Sequence, residues 1–202
     1  MKKRIILIAI LIVSQLNYSQ KTVKMVTEYG AKNRELEEVL SFENIGLETL
    51  NFESSEIKGK YYEINIKEYK NGKLIKSKSL FEGSDSEYFK IDSTFTSFKF
   101  FTKMENNKLK TYLKGKRFGS RQEYFDLEEG NGKYVLKDFQ GSKKFLNVPL
   151  NEEFPILAII TATKHKDGSG SYCEVAQSEI SPEKFGEKFN IPHYFIISMQ
   201  FK

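Results

Sequence analysis

YYEINIKEYKNGKLIKSKSLF, residues 61–81, decides the fold. Two runs, Tyr61 to Tyr69 and Lys73 to Phe81, flank Asn71-Gly72, a dipeptide that tolerates positive φ at both positions and so closes a tight type I′ hairpin. Pairing across that turn sets Tyr62, Ile64 and Ile66 on one face with Ile75 and Phe81, and puts Lys67 and Lys76 on the other. One face of the sheet is core and the other is water.

The same logic continues downstream. Thr94 to Met104 and Lys108 to Arg117 flank Asn106-Asn107, and Gln122 to Leu127 and Lys133 to Phe139 flank Gly130-Asn131-Gly132. Three successive hairpins predict antiparallel sheet. Phe145 to Leu150 adds a short strand. Pro155 opens Ile156 to Thr163, which is apolar on both faces and therefore reads as a central strand. Lys166 to Gly170 is a loop and Tyr172 to Gln177 returns from it. Tyr194 to Phe201 alternates, with Phe195, Ile197, Met199 and Phe201 on one face.

Two helices interrupt this pattern. Leu36, Val39 and Leu40 sit at helical spacing, Asn33 can cap the start, and Gly46 can end the helix in a left-handed turn, giving a helix over about 34–44. Ser181-Pro182-Glu183 starts a shorter one that carries Phe185 and Phe189 and ends before Pro192. Residues 21–31 show no clear periodicity and read as a lead-in, with strands beginning at about 47. About ten strands with short turns predict a mainly β fold, an antiparallel β-sandwich or a closed antiparallel barrel.

The first twenty residues read as an export signal. Met1-Lys2-Lys3-Arg4 is a basic head, and Ile5 to Val13 is an unbroken apolar run of nine residues, too short for the roughly 20 helical residues that span a bilayer. Cleavage is expected near Ser19 or Gln20. The lone cysteine, Cys173, lies far from the apolar run, so no lipid anchor has an attachment point. The expected product is a single exported domain, residues 21–202, periplasmic or secreted, with no transmembrane segment. A single cysteine also forbids an intrachain disulfide, so packing alone must hold the fold.

Export changes the charge balance. Three of the 32 basic residues leave with the signal, so 29 face 27 acidic ones. That near-neutrality, together with the expected destination, argues against a nucleic-acid partner.

Most chemical motifs are absent. His165 and His193 are the only histidines, 28 residues apart, which leaves no metal-ligand spacing. The loop at Asp85-Ser86-Glu87 lacks the glycine and the spaced carboxylates of a calcium-binding loop. Neither Gly130-Asn131-Gly132 nor Gly168-Ser169-Gly170 continues into a phosphate-binding strand-loop-helix pattern. Ser169 is flanked directly by glycine, unlike the serine-hydrolase elbow. No cofactor is implied. A thiol nucleophile is conceivable if a hairpin tip brings His165 towards Cys173, although Cys173 alternates with Val175 like a small core residue. Glu123, Asp126, Glu128 and Glu129 supply carboxylates, but nothing in the sequence selects a pair.

One constellation stands out. On the strand from Lys108, the residues Lys108, Lys110, Tyr112, Lys114 and Lys116 share a face. The expected register sets Lys103 opposite Lys110, Phe101 opposite Tyr112 and Lys99 opposite Lys114. The result is a basic stripe with an aromatic centre. Like charges facing each other across a sheet are mutually destabilising, and a bound anion is one remedy. The stripe therefore suits an anionic glycan, an anionic membrane surface or a protein partner, while the plainer reading is a lysine-rich solvated face that discourages aggregation. An exported binding module is the leading expectation. An envelope hydrolase using carboxylates or Cys173 is the alternative, and a small outer-membrane barrel is a second.

Overall fold

The computed structural model describes residues 21–164, 169–172, 175, 178 and 180–202. The signal segment and the pair His165 and Cys173 therefore lie outside the described residues. Two antiparallel sheets dominate. One has six strands: β1 (Thr22–Tyr29), β2 (Ile45–Glu53), β5 (Phe95–Glu105), β6 (Lys108–Gly115), β7 (Glu123–Asp126) and β9 (Leu146–Pro149), ordered β7-β6-β5-β2-β1-β9. The other has five: β3 (Tyr62–Lys70), β4 (Lys73–Glu82), β8 (Tyr134–Asp138), β10 (Phe154–Thr161) and β13 (His193–Phe201), ordered β4-β3-β13-β10-β8. A two-stranded ribbon joins β11 (Thr163–Lys164) and β12 (Gly170–Ser171). Among the described residues two short α-helices, α1 (Arg34–Phe42) and α2 (Phe185–Phe189), and four single 3-10 turns join the strands.

The sheets stack through their aromatic faces. Phe52 of β2 meets Phe201 of β13 edge-on at 5.5 Å, and Tyr62 of β3 meets Phe98 of β5 at 4.7 Å. These rings belong to one buried cluster drawn from both sheets, so the architecture is a sandwich. A second apolar cluster coats the far side of the five-stranded sheet, where Tyr69 and Tyr194 stack at 4.9 Å beneath Phe185 of α2. The strand β13 is consequently buried on both faces, as β10 is. Gly186 allows the close approach of α2, because a Cβ there would lie 2.3 Å from the backbone nitrogen of Gly72.

The decisive hairpin forms as its turn requires, with Asn71 and Gly72 both at positive φ. Its faces differ from expectation. Two register shifts leave Ile75 and Leu80 of β4 without a partner on β3 and set Ile66 opposite Lys78 and Glu68 opposite Lys76, while Phe81 lies opposite Ile64 and stacks on Tyr62 as expected. A single extra residue swaps the faces. Ile75 is therefore 52% exposed instead of buried beside Ile64. Lys76 and Lys78 instead reach the six-stranded sheet, where Lys76 lies over the Phe125 ring and Lys78 pairs with Glu123.

Four further expectations are corrected. Residues 22–29 are a strand in mid-sheet, between β2 and β9, with Val23, Met25 and Thr27 turned inward. The α1 helix ends at Phe42, and the left-handed residue after it is Asn44, at φ 53°, while Gly46 already belongs to β2. The segments around Gly130 are not a hairpin: β7 pairs with β6 and β8 with β10, so the chain crosses between sheets there. In the expected return strand, Val175 is helical.

Asn33 does cap α1, accepting from the Leu36 N–H at 2.8 Å. However, only Leu40 of its apolar side is buried, and Phe42 is 84% exposed.

Candidate functional site

The lysine stripe is built as its turn dictates. Asn106 and Asn107 both take positive φ, and the resulting register pairs Lys99 with Lys114, Phe101 with Tyr112 and Lys103 with Lys110 on the outer face of the six-stranded sheet. The Phe101 and Tyr112 rings lie 5.8 Å apart, inclined at 44°. Both rings line a recess of about 190 Å³, walled also by Ile45, Lys103, Lys110 and Gln122.

Charge is distributed unevenly along this stripe. At its ends, Lys108 pairs with Asp126 and Lys116 with Asp92. Lys103 is held by Glu43 at 2.9 Å and Glu105 at 3.4 Å, and the Glu43 hydrogen bond raises its pKa. Among the described residues, Lys99, Lys110 and Lys114 have no ion pair; Lys110 leans over the Tyr124 ring, 6.0 Å from its centre. The cross-strand pair Lys99 and Lys114 is thus left with its repulsion undiluted by a neighbouring carboxylate.

The acids named from the sequence are each spoken for: Glu123 by Lys78, Asp126 by Lys108, Glu128 by Lys70 and Glu129 by Lys133. Among the described residues, no three His, Cys, Asp or Glu side chains gather as a metal site.

The sequence reading missed a buried polar group between the sheets. Glu48 of β2 points inward and is 8% exposed, and its Oε2 has no hydrogen-bond partner among the described residues. Burial first, and then the nearby Asp138 charge, push its carboxyl up to about 8, so it holds its proton at neutral pH. An unpartnered buried group of this kind costs about 1–3 kcal/mol. Asp138, on β8 of the opposite sheet, is well served by contrast. It accepts from the Tyr29 hydroxyl, from the Gln140 N–H at 2.7 Å and from the Gly141 N–H at 2.8 Å. The Tyr29 ring is largely exposed, but partial desolvation of its hydroxyl and the bond to Asp138 raise its pKa and keep the phenol protonated.

Beside this pair the sandwich opens into a cavity of about 680 Å³, bounded by β2, β5, β8 and the end of α1. Tyr134 lines it, and behind Tyr134 runs a chain of bonds. Its hydroxyl lies 2.6 Å from His193 Nδ1, and His193 Nε2 lies 3.1 Å from Glu68 Oε1. Burial raises the Tyr134 phenol to about 12, so the hydroxyl stays neutral and serves as a donor to His193, not as a base. Fully buried His193 is therefore satisfied at both nitrogens. Both missed groups carried a signal in their spacing: Glu48 has the parity of inward Leu50 and Phe52, and His193 that of Phe195 and Ile197.

Compared with protein-family models, curated proteins and solved structures, this chain has no match.

Proposed function

We propose that the chain is an exported binding module that captures an acidic glycan on the outer face of its six-stranded sheet. The observation that carries this reading is the cross-strand pairing of Lys99 with Lys114 and Lys103 with Lys110 on either side of Phe101 and Tyr112. Sugar rings stack on aromatic faces, and their carboxylates or sulfates would relieve the repulsion of the central lysines. The recess that both rings line, about 190 Å³, supports an occupant the size of one sugar ring. Against a membrane-spanning barrel stands the chemistry of the outer surfaces. Lys24, Glu28, Lys99 and Lys114 stud one sheet, and α2 roofs the other. A lipid-facing apolar band has no place on either.

The test is calorimetric titration of residues 21–202 with polygalacturonate and with heparin at rising salt. Binding is expected to weaken steeply with salt and to fall at least tenfold in the Lys99→Glu/Lys114→Glu and the Phe101→Ala/Tyr112→Ala variants. Unchanged affinity in both variants, or no binding to either polymer at low salt, refutes the proposal. Mass spectrometry of the protein from its host tests the export step, with a mature N-terminus expected near residue 21.

A further inference from the structure

The cavity between the sheets shares Ile45 and Thr102 with the recess at the lysine stripe but has the opposite chemistry. We propose that it is a second binding site, selective for a small organic cation, a primary amine on an apolar body, with the Glu48 carboxyl as its anchor.

Three observations lead there. First, about 680 Å³ lies within the range of small-molecule sites. Leu40, Ile45, Met104 and Leu136 give it apolar walls. Second, Gly46 acts as a window. A Cβ at that position would lie 2.7 Å from Thr102 Oγ1 and 3.8 Å from Glu48 Oε2, and both Gly46 and Thr102 line the cavity. The missing side chain lets Thr102 Oγ1 sit at the cavity wall, with the buried Glu48 Oε2 directly behind it, so that an entering amine must displace the Thr102 hydroxyl to reach the carboxyl. Third, the Glu48 Oε2 that faces this window is more than nine-tenths buried and unpartnered.

The charges around the window choose the ligand class. From β8, Asp138 presents a carboxylate to Glu48; from β1, the Tyr29 phenol is bonded to that same carboxylate. On the α1 side, Glu37 is turned away onto the Ala31 N–H at 2.6 Å. An anion entering here meets two carboxyl groups and is repelled. A neutral alcohol satisfies Glu48 with one hydrogen bond, whereas an ammonium group satisfies it and also offsets the charge of the pair. The proton balance is simple. The amine arrives as R–NH₃⁺, Glu48 gives its carboxyl proton to the buffer, and an ammonium–carboxylate pair remains.

Three probes of one length separate the classes: hexylamine, hexanol and hexanoate, titrated calorimetrically into residues 21–202 in buffers of different ionisation enthalpy. Hexylamine is expected to bind at least tenfold more tightly than hexanol and to release close to one proton at pH 7. Its affinity should rise from pH 6 and level off above about pH 8, while hexanoate does not bind. Glu48→Gln should abolish the proton release and reduce the amine to the affinity of hexanol. Gly46→Ala should weaken amine and alcohol alike by narrowing the window. Thermal melts of both variants establish that they fold. The proposal falls if hexylamine binds no better than hexanol, if no proton is released, or if folded Glu48→Gln keeps the preference.

Discussion

The two outer faces of the sandwich meet opposite fates. On the five-stranded sheet, Tyr69, Tyr194 and Ile196 are roofed by α2, whose Phe185 is fully buried. On the six-stranded sheet, lysines alternate with two aromatic rings under open solvent. Both faces begin as alternating strands, so the difference comes from the later segments of chain that pack on one and not on the other. The roof is made by Val175, Ile180 and the α2 segment after them, which return over a sheet face that is already apolar. The roof adds a second buried cluster to the main one between the sheets, and the bare face keeps its side chains in solvent.

The sharpest way to break this contrast is Phe185→Ala. Emptying the roof should cost about 3–5 kcal/mol in urea unfolding. A cost below about 1 kcal/mol would mean that α2 merely rests on the sheet. The interior behind the bare face gives the next largest effect. Folded Glu48 is pushed up to about 8 while the unfolded chain titrates near 4.5. Its contribution is thus present in full below about pH 4.5 and is lost as pH rises to about 8, at up to ~1.4 kcal/mol per pH unit. Glu48→Gln should flatten that slope and stabilise the protein by about 4 kcal/mol at pH 8, read from melts across pH.

Gly186→Ala sharpens the roof side. Its methyl group would strike the Gly72 backbone, and a loss of about 1–3 kcal/mol is expected in the same unfolding assay. The bare face should respond least. Lys99→Glu, which places opposite charges across from each other at Lys114, should change stability by only a few tenths of a kcal/mol, in the stabilising direction. A large loss there would mean that the stripe is structural.

Local turn chemistry made much of this legible. Asn71-Gly72 and Asn106-Asn107 each force positive φ at two successive residues, and a two-residue turn sets register, so the turn residues alone place Phe101 opposite Tyr112. Features that depend on distant strands were not legible. The shifts that expose Ile75 come from β4 reaching across to Glu123 and Phe125. The crossing near Gly130 depends on β8 finding β10, about which a glycine turn is silent. Glu48 hid for a related reason. A carboxyl in an alternating strand reads as solvent-facing unless its parity with Leu50 and Phe52 is given more weight than its charge.

The position of β13 has a consequence for how the molecule is made. It is the last of these strands in chain order, yet it lies between β3 and β10, pairing Tyr62 with Phe201 and Ile159 with Phe195. Until residue 201 has emerged, β3 and β10 have no strand to join them, and their apolar faces stay open to other chains. A nascent chain of this kind cannot lock early. The five-stranded sheet closes only when β13 slots between its two halves.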